Sequence, residues 1–227
     1  MMENKDINGL VVLDKPSGLS SFLAVKIVKR ALGVKKAGHM GTLDPLASGV
    51  LVVGINKGTK LFDKFLKHNK EYYAEYQFGY ETDTLDLEGE VTSKTENVVV
   101  TKEDIEKILP QFLGKQQQMP PLYSAKKIDG QKACDLARAG KEVALKPKEV
   151  EVFDLKLVKQ IDNNTFGVKI RCSSGFYVRA LGRDIAKKFA TYATTTCIRR
   201  TECCGFKIEN AQSLEDIKAG NATVYPI

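Results

Sequence analysis

The chain has 227 residues, with 35 Lys and Arg against 28 Asp and Glu, and therefore a formal net charge of +7. Its composition, 43% hydrophobic and 28% charged, is that of a globular protein and argues against global disorder. The sequence contains no apolar run of the ~20 residues that a membrane helix needs and no C-x-x-C pair among its five cysteines. Its first residues show no basic segment followed by an apolar stretch, so we expect no secretory leader. We therefore expect no membrane span, no disulfide framework, no zinc site and a reducing, cytoplasmic environment. The positive charge favours a polyanionic partner.

Short strands with helices between them are predicted along most of the chain. In chain order, the first predicted elements are a strand in LVVLDK, a helix from Ser20 or Ser21 to Leu32 ended by Gly33, and strands in GVLVVG and KEYYAEYQFG. A helix over 101–109 and a hairpin of 149–160 with 165–172 follow. The last predicted elements are a helix over 177–189, a strand in TTTCIRRTECC and a short helix after Ser213. The chain lacks the G-x-G-x-x-G turn of a dinucleotide-binding fold. This pattern predicts an α+β fold with a mixed, largely antiparallel central sheet and flanking helices.

The composition changes between residues 116 and 148. This stretch mixes prolines, glycines and seven lysines or arginines, with one helix-like segment near 131–139. It predicts a mobile basic insertion rather than part of the core. Runs of charge usually form a solvated face, so its lysines carry no functional assignment from the residues alone.

The densest chemical signal is the segment GHMGTLDPLASGVL at residues 38–51. Its glycines allow another molecule to approach closely, and Pro45 fixes the backbone after a single carboxylate, Asp44. From the residues alone, a turn aspartate that binds its own backbone is the favoured interpretation of an Asp-Pro pair. His39 is either a solvated loop residue or a planar group presented to a nucleobase.

The segment GHMGTLDPLASGVL resembles the catalytic motif of the TruB-type tRNA pseudouridine synthases, which isomerise the T-loop uridine of tRNA. Further family blocks match in the same order, namely LDKPSGLSS, KEYYAEYQFG, MPPLYSAKKIDGQKACDLARAG and CSSGFYVRALGRDIA. The resemblance runs from about Gly9 to about Cys204. It implies the pseudouridine synthase fold and the conversion of uridine 55 of tRNA into pseudouridine.

The resemblance also implies roles for single residues. Asp44 matches the family's nucleophile, Arg179 matches the arginine that pairs with that aspartate, and Tyr72 matches the tyrosine that stacks on the flipped base. His39, Tyr177 and Ile198 match residues that contact the substrate, Ile198 as an aliphatic wall of the uracil pocket. The basic insertion matches a flap over the RNA, with Lys126, Lys127 and Lys132 as backbone contacts. Lys15 is typical of the family, and we expect it to be structural.

The implied reaction adds and removes no atoms or electrons overall, so no cofactor and no metal are expected. We expect the T-arm stem-loop of tRNA as the partner, no obligate protein partner and a monomer. The alternatives are a guide-RNA-dependent pseudouridine synthase and a non-catalytic tRNA-folding or RNA-binding module. A pure binder has no need of an ionised carboxylate facing phosphates, so Asp44, Tyr72 and Arg179 together argue against the second alternative.

Three positions depart from the family pattern without touching the catalytic set: Met40 replaces a usual threonine, Cys134 a common aromatic residue, and Phe176 a frequent threonine. The expected catalytic domain covers residues 1–210, with the basic insertion at about 116–148. A tail of residues 211–227 is too short for the C-terminal PUA domain of many family members. We therefore expect a form that lacks that domain.

Overall fold

The central sheet is mixed and helices flank it, so the predicted α+β class is confirmed. The computed structural model describes residues 7–124, 127–128, 131–139 and 143–227. The elements are β1 (Gly9–Lys15), α1 (Ser21–Leu32), β2 (Ala37–His39), β3 (Ser48–Ile55), a 3₁₀ helix (Asn56–Leu61), α2 (Phe62–Leu66), β4 (Lys70–Phe78), β5 (Tyr80–Thr82), β6 (Val91–Lys94), α3 (Lys102–Ile108), a 3₁₀ helix (Leu109–Phe112), β7 (Gly114–Gln118), β8 (Lys127–Ile128), β9 (Gln131–Lys132), α4 (Ala133–Arg138), β10 (Lys148–Gln160), β11 (Thr165–Cys172), α5 (Val178–Lys187), β12 (Ala193–Cys203), β13 (Phe206–Lys207), a 3₁₀ helix (Ile208–Asn210) and α6 (Leu214–Lys218).

The chain divides into two units. The first consists of Met1–Tyr72 with Ile198–Ile227, and the second is Tyr73–Cys197. The boundaries fall inside β4 and β12, so each of these strands runs through both units. Within the first unit the strand order is β1, β3, β12, with β2 on β3 and β13 on β12. Within the second it is β12, β4, β11, β10, β7, beside the small sheets β5–β6 and β8–β9.

The first unit is built on β3, whose continuous apolar run is buried from Gly49 onward. β1 pairs with β3 in antiparallel register along its whole length, and β12 pairs with its start in parallel. A strand that is buried on both faces needs an unbroken apolar sequence. This explains why neither GLVVL nor GVLVV alternates between apolar and polar residues. Helix α1 begins where the Ser20 hydroxyl accepts a hydrogen bond from the Leu23 amide, and Gly33 ends it with φ +65°.

Gly49 allows β12 to approach β3 closely. Its φ is +101°, and a Cβ at this position would collide with the backbone carbonyl of Arg200. We expect Gly49→Ala to destabilise the protein by about 3 kcal/mol, because both the φ and the collision oppose the methyl group. Gly18 has φ +81°, and a Cβ added there would meet no atom within 4 Å, so Gly18→Ala should cost only about 1 kcal/mol for the φ alone. Urea unfolding measures both variants, and equal losses would contradict the role of the close approach.

The second unit confirms the predicted hairpin, since β10 and β11 pair in antiparallel register. Helix α5 packs closely against β4 because Gly182 presents no side chain to the ring of Tyr76, whose hydroxyl donates to the carbonyl of Val178 at 2.7 Å. Helix α3 begins with a capping box between Thr101 and Asp104, as its acidic first turn suggested.

The structure assigns both ends of the predicted insertion, residues 116–118 and Lys148, to strands of the sheet. Residues 116–118 belong to β7, which pairs with β10 in register from Gly114↔Val152 to Gln118↔Lys148. Polar glutamines at an edge strand gave no apolar alternation, so the sequence pattern did not reveal this strand. None of the helices in the described part of the chain is both long and apolar enough to cross a membrane.

Candidate functional site

The loop that carries Asp44, residues 40–47, connects β2 to β3 in the first unit and is bound to the turn that follows β1. The Gly18 amide donates to the carbonyl of Pro45 at 2.8 Å, and the Ser17 hydroxyl donates to the carbonyl of Leu46 at 2.7 Å. Inside the loop, the Ala47 amide donates to the carbonyl of Asp44 at 3.1 Å. Asp44 is half-buried, so its position is fixed by its neighbours' main chain while its side chain retains partial exposure.

Two buried side chains, those of Ser21 and Lys15, bind main-chain atoms of the same loop. The Ser21 hydroxyl at the start of α1 donates to the Leu43 carbonyl at 2.7 Å and accepts from the Leu43 amide at 2.8 Å. Lys15 is fully buried, and its Nζ donates to the carbonyls of Pro16, Leu19 and Pro45 at 2.9, 2.5 and 3.3 Å. A buried ammonium needs such partners, and here they include the residue next to Asp44. This agrees with the structural role expected for Lys15.

Arg200 holds the loop from the β12 side, and sequence reasoning gave it no role. Only 1% of its surface is exposed. Its guanidinium donates to the carbonyls of Val50, Thr42 and Gly41 at 2.7, 3.2 and 3.1 Å. The planar guanidinium reaches these three acceptors with three different nitrogens, Nε, Nη1 and Nη2, and so fixes their relative positions. The run Arg199-Arg200 in a predicted strand was the available signal, because a charged residue there needs a partner.

Tyr72 and Ile198 are both buried in the first unit. Tyr72 is buried on β4, where alternate residues point inward. Ile198 is 4% exposed, and its carbonyl accepts a bond from the Ser48 hydroxyl at 3.4 Å. Asp44, His39, Tyr72 and Ile198 therefore all belong to the first unit, and their roles toward a base remain predictions.

His39 ends β2 directly before the loop. Its Nδ1 is buried and has no hydrogen-bond partner within the described residues. Burial lowers the pKa of His39 from 6.5, and the nearby Arg200 guanidinium lowers it further. The imidazole is therefore neutral at pH 7, with a ring nitrogen available to a ligand.

The lowered pKa of His39 predicts a pH-dependent stability. The unfolded chain binds a proton at His39 below about pH 6.5 while the folded protein resists it, so stability is lost as the pH falls through that range. We expect His39→Gln to reduce this loss in urea titrations at about pH 7.5 and 5.5. The matched control is His68→Gln, which changes the chain's other, exposed histidine. An unchanged pH dependence in His39→Gln would contradict the assignment.

Arg179 lies in the second unit, on the first turn of α5, and is 5% exposed. Its Nη1 lies 3.4 Å from Oδ2 of Asp86 and donates to the carbonyl of Thr84, while Nη2 donates to the carbonyl of Tyr123 at 2.9 Å. The carboxylate and the two carbonyls orient the guanidinium. The expected pairing of Arg179 with Asp44 stays a prediction.

Asp86 is a buried residue that sequence reasoning missed. Its Oδ1 accepts from the Thr84 hydroxyl at 2.6 Å and from the Glu88 amide at 3.0 Å, and only 2% of its surface is exposed. Leu85 before it has φ +63°, an uncommon conformation for a non-glycine residue. The turn ETDTLD after a strand was the available signal, but a turn aspartate is usually exposed.

Tyr177 precedes α5, and the side chain of Gln118 at the end of β7 holds its backbone. The Tyr177 amide donates to Oε1 of Gln118 at 2.8 Å, and Nε2 of Gln118 donates to the Tyr177 carbonyl at 3.1 Å. The Tyr177 side chain is half-buried. The residues that lead into the basic insertion thus also hold the start of the helix that carries Arg179.

The predicted RNA-backbone lysines are only partly placed. Lys126 lies outside the described residues. Lys127 belongs to β8 and Lys132 to β9, and these two-residue strands pair with each other. The described part of the chain contains no group of three His, Cys, Asp or Glu side chains suited to a metal ion. The first unit carries the Asp44 carboxylate, the neutral His39 imidazole and Tyr72, and the second unit carries the oriented Arg179 guanidinium and Tyr177.

Comparison with known proteins identifies the family of the chain. Residues 29–178 match the family described as TruB family pseudouridylate synthase, N-terminal domain. A protein of Caldanaerobacter subterraneus subsp. tengcongensis named tRNA pseudouridine synthase B is 41% identical over 97% of this chain and 78% of its own length. One of the same name from Endomicrobium trichonymphae is 39% identical over 96% of this chain and 95% of its own length.

Solved structures share the fold. A chain of a Cbf5–Nop10–Gar1 complex matches 92% of this chain with a TM-score of 0.71 and 28% identity. A chain of an H/ACA RNP bound to a substrate RNA containing 2'-deoxyuridine matches 92% with a TM-score of 0.69 and 25% identity. The present chain spans about half of each, 53% and 51%.

Proposed function

Because the chain belongs to the TruB family of pseudouridylate synthases, we propose that it converts a uridine of tRNA into pseudouridine, specifically uridine 55 in the T-loop. The proposal rests on relatives named tRNA pseudouridine synthase B that match 92–97% of the chain. The observation that carries it is the Asp44 loop, which the Ser21 hydroxyl and the Lys15 ammonium hold through main-chain atoms on both sides of the carboxylate.

The reaction is an isomerisation of one nucleotide. The N1–C1′ bond breaks, the detached uracil turns, and C5 bonds to C1′. C5 gives up its proton and N1 gains one, so the composition of the RNA is unchanged. Asp44 serves as the nucleophile that assists departure of the base, as a carboxylate does in glycoside cleavage.

The remaining residues bind and orient the substrate. The target uridine must leave its stack, which costs roughly a few kcal/mol. Stacking on Tyr72 returns about 1–3 kcal/mol of this cost. The Arg179 guanidinium keeps the Asp44 carboxylate ionised and aimed, and the neutral imidazole of His39 offers a hydrogen bond at Nδ1. Ile198 forms an aliphatic wall of the uracil pocket, and Tyr177 contacts the substrate.

The direct experiment incubates the purified protein with an unmodified tRNA transcript and no other component, followed by mapping of pseudouridine. We expect modification at position 55 only, and none in a transcript that carries cytidine there. A minimal T-arm hairpin is the second substrate, because the proposed partner is that stem-loop. Modification that requires a guide RNA or an added protein would support the guide-dependent alternative and contradict our proposal.

RNA binding in this proposal depends on charge. A protein with a net charge of +7 gains much of its RNA affinity from counterion release, so affinity should fall steeply with salt.

A further inference from the structure

Cys203 is the last residue of β12 and Cys204 follows it in the turn, and both lie outside the residues that the proposed function uses. The Sγ atoms of Cys203 and Cys204 are 3.4 Å apart. The φ of Cys204 is +58°, so the chain leaves the extended conformation at this residue. If the strand continued, the two side chains would point to opposite faces. The turn therefore creates a pair of neighbouring thiols that the sequence pattern does not predict.

The thiol pair lies among cationic side chains of the first unit. Lys70 and Arg200 both flank Gly41, where a Cβ would lie 3.6 Å from Cε of Lys70 and 3.9 Å from Nη1 of Arg200. The hydrogen bond from Cys204 lowers the pKa of Cys203 to about 6 against the opposing effect of burial, and Arg200 and Lys70 lower it further. The same bond raises the pKa of Cys204. Both effects favour a thiolate at Cys203 beside a thiol at Cys204, the reactive combination for oxidation.

The two thiols are buried in the first unit. Cys203 and Cys204 are 0% and 4% exposed, and the Cys204 thiol lies 3.6 Å from the carbonyls of Met40 and Phe65. Partly buried hydrophobic groups pack against the cluster that contains both cysteines, among them Phe65, Phe206 and Tyr225. We expect a hydroperoxide to reach sulfur when local motion displaces such groups.

We propose that Cys203 and Cys204 form an oxidant-sensitive dithiol that hydroperoxides convert reversibly into a vicinal disulfide. The Cys203 thiolate attacks the peroxide oxygen, which yields a sulfenic acid and, after protonation, water or an alcohol. The Cys204 sulfur then displaces the sulfenic oxygen as water and forms the S–S bond. In sum, two thiols and one hydroperoxide give one disulfide, water and the reduced peroxide, so two electrons pass from sulfur to oxygen.

Reduction by thiols is expected to be easy. Adjacent Cα atoms are about 3.8 Å apart across a trans peptide, below the roughly 4.4–6.8 Å range of most disulfides. A disulfide closed over that distance is strained, and strained disulfides are the more readily reduced ones. The pair is therefore suited to reversible oxidation and not to structural cross-linking. Arg200 also binds the carbonyls of Gly41 and Thr42, so the oxidation of the thiol pair would occur next to the Asp44 loop.

The test uses the folded, full-length chain at neutral pH, treated with hydrogen peroxide, alkylated at its remaining thiols and digested with trypsin. Trypsin releases residues 201–207, TECCGFK, which contain both cysteines and no other. We expect this peptide to lose two hydrogen atoms, to become unavailable to the alkylating reagent and to recover both properties after dithiothreitol. A Cys204→Ser variant should lose the reversibility and carry Cys203 on to the sulfinic acid.

Cys197→Ser, on the same strand, is the matched control and should retain the internal disulfide. Three results would overturn the proposal: thiols of residues 201–207 that stay reduced while peroxide is consumed, Cys203 oxidised to the sulfinic acid in the unmodified sequence, or either cysteine joined to Cys197 or to another chain. None of these readouts depends on pseudouridine formation, so the proposal stands or falls separately from the proposed function.

Discussion

We expect the Asp44→Asn variant to lose all detectable pseudouridine formation while it folds and binds tRNA normally. Asparagine has nearly the same shape but no charge and no nucleophilic oxygen. The described contacts that fix the loop use main-chain atoms of Leu43, Pro45 and Leu46, which the substitution leaves in place. The rate should fall at least about 10⁴-fold, or roughly 5.5 kcal/mol of transition-state stabilisation.

Single-turnover assays and filter binding separate the two effects of this change. RNA affinity should change little, because phosphate contacts supply most of it. The matched control is Asp63→Asn, the same substitution at an exposed position in α2 of the same unit. Pseudouridine formation by Asp44→Asn above the level without enzyme would refute the nucleophile assignment.

We expect Arg179→Lys to lower the single-turnover rate by about 10²–10³-fold with a small change in tRNA affinity. Arginine here contacts Asp86 and the carbonyls of Thr84 and Tyr123 at once, and lysine cannot reproduce that planar set. The lysine side chain would then no longer orient the Asp44 carboxylate, as we propose that the guanidinium does. Asp86→Asn should produce a similar loss of rate, because it removes the carboxylate that holds Arg179 while it retains an oxygen for Thr84.

Stability measurements distinguish positioning from simple damage to the fold. Removing one member of a buried ion pair costs about 3–5 kcal/mol, so Asp86→Asn should also unfold at lower urea, whereas Arg179→Lys keeps the charge and should lose less. Arg183→Lys, one turn further along α5 and bound to Asp184 and the Met119 carbonyl, is the matched control. A collapse of tRNA affinity with an unchanged rate in Arg179→Lys would identify Arg179 as a phosphate contact instead.

The order of the local elements was largely predictable from the sequence because short-range patterns specify them. Continuous apolar runs predicted β1 and β3, a serine and a glycine marked the ends of α1, and a three-residue Asp-Asn-Asn turn between alternating segments marked the β10–β11 hairpin. The edge strand β7 was missed, since its glutamines give no apolar period and its pairing with β10 spans about 30 residues of intervening chain.

The sequence by itself determined the class of fold, the family and the candidate loop around Asp44, because each depends on residue types at short spacing. Only the tertiary structure decided which charges are buried. The local patterns around Arg200 and Asp86 do not identify their partners, since Arg200 holds backbone groups about 150 residues away and Asp86 contacts Arg179 from a turn. A charged side chain can be buried only where distant segments supply its partners, and no pattern within one segment records that.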